Sequence, residues 1–139
     1  MTGTEQNRAI VRRYFETMSA RDWDGFGSLL AEGVVYEMPQ TAERIVGRER
    51  LVSFNSEYPG DWRIGVTRLI VDSETAAASM NFTVGDEQLV GLVYFELAGG
   101  LITRVTDFWP EAYEPPAGRE HLTEQGVAGL DRLSRPGDS

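Results

Sequence analysis

Few side chains in this sequence are of types that catalyse reactions or bind metal ions, and the count of each residue type shows which of them remain as candidates. The 139 residues include no cysteine and a single histidine, His121. Thiolate nucleophiles, disulfides and cysteine-ligated zinc are therefore excluded, and so are histidine-rich metal sites and metalloproteases of the HExxH type. No metal site is expected. The carboxylates and tyrosines remain as candidates.

Asp107 is the carboxylate whose position best indicates a pocket. Period two groups five residues of one strand-like run on one face: Leu101, Thr103, Val105, Asp107 and Trp109. Arg104 falls on the other face and prefers water, which places Asp107 inside, and buried carboxylates tend to mark sites. Both faces carry apolar residues, and a bulge would invert the assignment. The alternative is a solvated or salt-bridged Asp at a strand end.

Other polar and aromatic residues have a structural interpretation beside the functional one. Tyr14 lies on an apolar helical stripe, where core packing explains it equally well. Glu37 alternates with Tyr36 and Met38, so only one of these two sets faces a pocket, and an exposed Glu37 is favoured. His121 is favoured as a surface histidine of the tail.

A second group of residues surrounds the third helix and the turn after it. Asn55, Tyr58 and Trp62 are candidates for a pocket mouth, although a helix end and the Pro59–Gly60 turn also explain them. Trp109 is interpreted as a core or wall aromatic.

The elements that position these residues follow from periodicity and breakers. Helix signals crowd the first half and strand signals the second, which favours the α+β class. We expect a first helix from near Thr4, and a second that begins after Asp22 and ends at Gly33 in a left-handed conformation. A short strand, a polar loop and a third helix follow, at Val34–Met38, Gln40–Val46 and Gly47–Tyr58.

The second half predicts four strands joined by short turns. The strands are expected at Trp62–Asp72, Thr75–Val84, Gln88–Leu97 and Leu101–Trp109. Polar or glycine-containing links of this length are typical of antiparallel hairpins. The expected product is a long, curved antiparallel meander with helices on its concave side. Prolines break the chain after the last strand, and 119–133 is expected to form a weak helix.

The net charge and the composition argue against several classes of binding partner and cellular location. The net charge is −9, which argues against nonspecific nucleic-acid binding and against an anionic membrane surface. No apolar run approaches the length of a membrane span, and the polar N-terminus has no signal-peptide core, so a cytoplasmic location is expected. The length suits one domain with one sizeable core.

Three local pieces, in this order and spacing, resemble the SnoaL-like (nuclear transport factor 2-like) superfamily over roughly residues 5–113. They are Arg21–Tyr36 (RDWDGFGSLLAEGVVY), Gly47–Leu51 (GRERL) and Gly100–Trp109 (GLITRVTDFW). The resemblance implies a cone-shaped α+β barrel around a small, mostly apolar pocket, acid–base chemistry by an acidic or tyrosine side chain, no cofactor, and a homodimer formed through the outer sheet face. The superfold also hosts noncatalytic binders.

The ketosteroid isomerases within this superfamily are the first enzymes to compare. Arg13–Pro39 can be laid on theirs without a gap, and Tyr14 then takes the place of the oxyanion tyrosine. Met38 takes the place of the catalytic base, and a thioether cannot abstract a proton. The second acid falls near Gly91. This activity is therefore rejected, and Tyr14 is kept as a hydrogen-bond donor.

Limonene-type epoxide hydrolases and SnoaL-type polyketide cyclases are the other comparisons. Asp107 falls on the last-strand Asp of the epoxide hydrolases, but the strand Thr75–Thr83 lacks their Arg and second Asp, with only Asn81 able to orient a water. The cyclases need one acid that acts as both acid and base, a requirement that Asp107 meets.

The resemblance thus leads to one prediction with an alternative. The chain is expected to be a cofactor-independent enzyme on a small apolar oxygenated molecule, with Asp107 as acid and base and Tyr14 as donor. Its substrate pocket is expected to be lined by Tyr36, Met38, Asn55, Tyr58, Trp62, Asn81 and Trp109. The alternative is a noncatalytic ligand-binding or assembly module. A protein-interaction domain is permitted by the charge, but nothing specific supports it.

The domain organisation is predicted to be a SnoaL-like domain at 1–113 and a tail at 114–139. The tail is interpreted as a lid or a dimer contact with a disordered end.

Overall fold

A computed structural model describes residues 3–124, and its three helices lie in the first half of the chain. They are α1 (Gly3–Ser19), α2 (Trp23–Ser28) and α3 (Arg48–Ser56). Apolar side chains at helical spacing bury one face of α1, including Val11, Tyr14 and Phe15. Asp22 caps α2, as predicted, by accepting a hydrogen bond from the backbone N–H of Gly25 at 3.0 Å.

Six strands form one curved sheet that does not close into a barrel. They are β1 (Leu30–Met38), β2 (Glu43–Val46), β3 (Trp62–Val71), β4 (Thr75–Val84), β5 (Glu87–Ala98) and β6 (Leu101–Phe108). Their spatial order is β2-β1-β6-β5-β4-β3, so the predicted four-strand meander is present as β3 to β6. The α+β class predicted from the sequence is confirmed.

The core fills the space between the helices and one face of the sheet. α1 packs on β3 and β4, and α3 packs on β1. Tyr14, Phe15 and Phe95 meet edge to face, with ring centroids 5.0–5.9 Å apart. This aromatic cluster therefore packs α1 against β5, one of the strands of the sheet that positions the site.

Two expectations about the first half are wrong. The segment Gln40–Val46 is not wholly a loop, because Glu43–Val46 forms β2 and pairs antiparallel with β1. The second helix ends at Ser28, five residues before Gly33, and Gly33 lies within β1 without a positive φ. The predicted meander, β3 to β6, is antiparallel throughout. The sequence made no prediction for the pairing of β1, which pairs with β6 in parallel.

The tail is exposed throughout its described part. Residues 111–124 form no helix or strand, and His121 lies on the surface. The rest of the helix predicted at 119–133 falls outside the described residues. In the described part, no helix has both the length and the apolar character needed to cross a membrane.

Candidate active site

A cavity of about 210 Å³ lies between the inner face of the sheet and the helices. Eight of the nine residues that the sequence predicted for the site line it: Asp107, Tyr14, Tyr36, Met38, Asn55, Tyr58, Trp62 and Trp109. Within the described residues, the lining includes one carboxyl group and no Lys, Arg or His. The cavity is larger than the roughly 150 Å³ that holds one benzene ring in an apolar core.

The expected placement of Asn81 is corrected. Along β4 the inner face carries Met80 and Phe82, so period two turns Asn81 outward, where it is exposed and does not line the cavity. A water held by Asn81 in this cavity is therefore excluded.

Seven further lining residues were not among the predicted site residues. They are Phe15, Met18, Phe54, Ile64, Met80, Phe82 and Leu89. Phe15 and Met18 share the apolar helical stripe of Tyr14, and period two along β4 predicts that Met80 and Phe82 face inward together. Ile64 and Leu89 depend on which face of β3 and β5 meets the helices, which single strands do not reveal.

Asp107 is the polar centre of the cavity. Its side chain is 6% exposed, and β6 aims it inward opposite Val93 of β5. Oδ2 accepts a hydrogen bond from the hydroxyl of Tyr36, whereas Oδ1 is buried with no hydrogen-bond partner among the described residues. A buried, unpartnered carboxylate oxygen costs free energy, and a ligand with an O–H or N–H group can recover it.

Burial raises the pKa of Asp107 to about 7, and the hydrogen bond from Tyr36 opposes part of that rise. Burial also raises the pKa values of Tyr14 and Tyr36 well above their ordinary value, and the charge of Asp107 raises both further. At neutral pH both phenols therefore keep their protons and act as donors, while Asp107 is divided between its acid and base forms.

The outer face of β6 explains why Asp107 points inward. Arg104 forms ion pairs there with Glu37 of β1 and with Glu96 of β5, the latter with Nε to Oε2 at 3.3 Å. Between Arg104 and Ile102 the pairing with β5 shifts by one residue, so Thr103 is a bulge. Asp107 and Val105 lie inside as predicted, but above the bulge it is Ile102, rather than Thr103, that is buried.

Two polar side chains fasten the aromatic wall. The guanidinium of Arg21 lies 3.5 Å from the ring centre of Trp62 and donates to the Trp62 carbonyl oxygen at 2.5 Å. The side-chain amide of Gln40 bonds to both backbone groups of Trp109. Both indoles contact Phe82, Trp62 by stacking and Trp109 by an edge.

The fold and this cavity define a class of protein: small α+β domains with an internal pocket. Comparison with known protein families shows which family of this class the chain belongs to. The model of the SnoaL-like domain family matches residues 11–105. The chain belongs to the SnoaL-like family. No curated protein matches the chain.

Solved structures agree with this assignment. A protein from Kribbella flavida DSM 17836, provisionally named a ketosteroid isomerase, is 58% identical, with a TM-score of 0.90 and 99% of each chain covered. A provisionally named polyketide cyclase from Xanthomonas campestris is 22% identical over 78% of this chain and 93% of its own, with a TM-score of 0.65. An LEH-like epoxide hydrolase from M. tuberculosis is 20% identical over 78% and 86%, with a TM-score of 0.70. The last two show the fold alone.

Proposed function

We propose that the chain is a cofactor-independent enzyme that moves a proton within a small, neutral, mostly apolar molecule carrying a carbonyl group. The observation that carries this proposal is Asp107, buried in an aromatic cavity with Oδ1 unpartnered. A carboxyl group with a pKa of about 7 takes and returns protons with comparable ease near neutral pH.

The proposed step uses three side chains. The Asp107 carboxylate removes a proton from the carbon next to the substrate carbonyl, and the electron pair moves onto the carbonyl oxygen. The Tyr14 hydroxyl donates a hydrogen bond to that oxygen as it becomes negative, while Tyr36 holds Asp107 through Oδ2. Asp107 then returns the proton in one of two ways. Where a carbon–carbon double bond is conjugated with the enolate, the proton goes to the far carbon of that bond, which gives an isomer. Where the substrate has a second carbonyl group, the enolate carbon attacks it, its C=O bond opens to an alkoxide, and the proton goes to that alkoxide.

The lining supports a neutral substrate. Aromatic and aliphatic side chains supply most of the wall, and the described lining offers no cation to an anionic ligand. Transfer of an unpaired anion into such a site is unfavourable. A small, neutral apolar frame with one carbonyl group and either a double bond or a second carbonyl group meets these conditions.

The steroid chemistry in the name of the Kribbella flavida protein is not what we propose for this chain. Met38 lines the cavity where the overlay requires the base, and Gly91 has no acid to offer. A cavity of about 210 Å³ is also small for four fused rings, given that an apolar cavity of roughly 150 Å³ holds one benzene ring.

The test is hydrogen–deuterium exchange next to a carbonyl group, measured by proton NMR in D2O. Cyclohexanone and 2-tetralone, which are uncharged near neutral pH, serve as probes, and Asp107→Asn is the decisive variant. We expect exchange above the buffer rate in the wild type, loss of at least about a hundredfold in Asp107→Asn, and unchanged exchange in the exposed control Asp86→Asn. Equal exchange in wild type and Asp107→Asn rules the proposal out.

The alternative function is a noncatalytic binder of similar small molecules. The observation that favours it is the single carboxyl group of the described lining, with no second acid or base to assist it. Saturable binding of the same ketones without exchange, in the same NMR samples, would select this function.

We also propose that two copies associate through the outer face of the sheet. Ile70, Tyr94 and Leu92 lie on that face and are 62%, 54% and 41% exposed. Light scattering at micromolar concentration checks this, and Tyr94→Asp should shift a dimer toward monomer. A wild-type monomer would contradict it. The cytoplasmic location and the tail's role as a lid or dimer contact remain predictions from the sequence.

A further inference from the structure

Trp109 is held from outside the cavity by one side chain. It follows the last residue of β6, and Gln40 lies in the turn after β1. The backbone N–H of Trp109 donates to Oε1 of Gln40, and Nε2 of Gln40 donates to the Trp109 carbonyl oxygen at 2.8 Å. The regular pairing of β1 with β6 ends at Glu37 and Thr106. The side-chain amide of Gln40 therefore continues the hydrogen bonding between β1 and β6 beyond the last backbone pair, with the same donor and acceptor groups that a peptide bond would offer.

The indole of Trp109 lies over a glycine of the neighbouring strand. A Cβ built on Gly91 would stand 2.9 Å from Cζ3 and 3.0 Å from Cη2 of Trp109, and 2.8 Å from Cε of Met80. The ring therefore occupies the volume that any side chain at position 91 would need. It also meets Phe82 edge to face, with ring centroids 5.6 Å apart.

This position lies beside the reacting carboxyl group. Asp107 and Trp109 are two residues apart and both line the cavity, and Asp107 lies opposite Val93, the next inward residue after Gly91. A ligand bound at Oδ1 of Asp107 therefore shares its cavity with the Trp109 indole, which forms part of the wall.

We propose that Gln40 is a positioning residue that sets the upper size of the ligand by holding Trp109 against Gly91. The Gln40 side chain does not line the cavity. It acts through the backbone of Trp109. Loss of both hydrogen bonds releases this backbone and allows the indole to move away from Gly91. The inference rests on the proposed ligand site and is independent of whether that site is catalytic.

The ligand probes are phenol and 2-naphthol, with affinity measured by titration calorimetry. Each carries one hydroxyl group able to donate to Oδ1 of Asp107, and they differ by one fused ring. The wild-type cavity should prefer phenol, since about 210 Å³ leaves little room beyond one ring. The measured quantity is the ratio of the 2-naphthol affinity to the phenol affinity.

Gln40→Leu removes both hydrogen bonds at similar side-chain volume, and Trp109→Ala removes the wall itself. We expect Gln40→Leu to raise the affinity ratio about tenfold and Trp109→Ala to raise it at least as much. In the double variant, Gln40→Leu should add nothing to Trp109→Ala, because its effect passes through the indole. A structural role elsewhere would instead lower both affinities in either background.

Two results would overturn the proposal: an unchanged ratio in folded Gln40→Leu, or the same rise from Gln40→Leu with and without Trp109. Failure of the wild type to bind phenol would overturn it as well.

Gln40→Glu is the second variant. It keeps an acceptor for the Trp109 N–H and loses the donor, so its ratio should lie between those of the wild type and Trp109→Ala, and a wild-type ratio would count against us. Loss of ketone exchange alone would sink the catalytic proposal and leave this one standing.

Discussion

The hydroxyl of Tyr36 donates to Oδ2 of Asp107, which joins β1 to β6 inside the cavity. The two residues are 71 positions apart, and the parallel register that pairs Tyr36 with Val105 brings them together. The bond leaves Oδ1 as the free oxygen of the carboxyl group. One tyrosine thus decides which oxygen of Asp107 is available to a ligand and lowers the cost of its negative charge.

The first prediction concerns stability against pH. The pKa of Asp107 is about 7 in the folded chain and 3.8 ordinarily, so between these values the folded state holds a proton that the unfolded state has released. The contribution of Asp107 to the free energy of unfolding is therefore constant below this window, falls as pH rises through it, and is constant above about pH 7. Asparagine does not titrate.

We therefore expect Asp107→Asn to gain stability relative to wild type as pH rises, by up to about 4 kcal/mol between pH 4 and pH 8. Urea unfolding of both proteins at matched pH values measures the difference, and the other carboxylates cancel in it. A difference that stays constant across this range would show that Asp107 is not buried as described.

The second prediction concerns Tyr36→Phe. Its hydrogen bond lowers the pKa of Asp107 against the larger effect of burial, so its loss should raise that pKa above 7. A hydrogen bond to a charged group contributes about 1.5–3 kcal/mol, which corresponds to a rise of about one pH unit or more. Carboxyl ¹³C NMR of aspartate-labelled protein follows the titration, with Asp107→Asn to assign the signal.

Tyr14→Phe is the matched control for that titration. Tyr14 lines the same cavity, but its hydroxyl makes no hydrogen bond to Asp107 in the described structure. Its loss should move the midpoint less than the loss of the Tyr36 hydroxyl. Equal upward shifts in the two variants would contradict the specific role of Tyr36.

The inward position of Asp107 could be predicted from the sequence, because no bulge interrupts the alternation of side chains between Arg104 and Asp107. Above Arg104 the same rule fails, since the bulge at Thr103 is set by pairing with β5 and not by any local signal. Asn81 differs from its predicted position for another reason: its amide suits a role in the cavity, but the alternation along β4 turns it outward. Met80 and Phe82 beside it settle the orientation.

Features that depend on distant pairing could not be derived. The segment Gln40–Val46 is predicted to be a polar loop, but its last four residues form a strand where β1 offers them an edge. Tyr36 was placed in the pocket, but its bond to Asp107 needs the parallel β1–β6 register, which no alternation pattern encodes. The Gln40–Trp109 contact spans 69 positions and likewise follows from that register.

A third prediction concerns Asn7, a buried amide that the sequence did not single out. Its Nδ2 donates to the carbonyl oxygens of Ser73 at 2.9 Å and of Asp72 at 3.2 Å, which ties α1 to the β3–β4 turn. Asn7→Asp replaces these donors by a carboxylate facing two carbonyl oxygens. We expect a loss of about 2–4 kcal/mol at pH 7 and a smaller loss at pH 4, where the protonated acid can donate once. Asn81→Asp, at an exposed position, should change stability by less than about 0.5 kcal/mol, and equal losses in chemical denaturation would contradict the tie.

The last prediction separates two opposing effects at Arg21. Its backbone has a φ of 59°, a left-handed conformation that costs a non-glycine residue about 1 kcal/mol or more. Its side chain fastens the cavity wall through the Trp62 ring and carbonyl oxygen, and also donates to the Met18 carbonyl oxygen at 3.1 Å. These contacts together contribute about 2 kcal/mol, allowing for the exposure of Arg21. Arg21→Ala loses the contacts and keeps the strain, whereas Arg21→Gly loses the contacts and relieves it.

The expected order of stability is therefore wild type, then Arg21→Gly, then Arg21→Ala, with steps of about 1 kcal/mol each in urea unfolding. The fluorescence of Trp62, isolated in a background with Trp23 and Trp109 replaced by Phe, should shift equally in both variants, because both release the same ring. If Arg21→Gly proved as stable as the wild type or more so, the contacts to Trp62 would be weaker than the backbone strain. The wall at Trp62 would then be held by its stacking on Phe82 and not by Arg21.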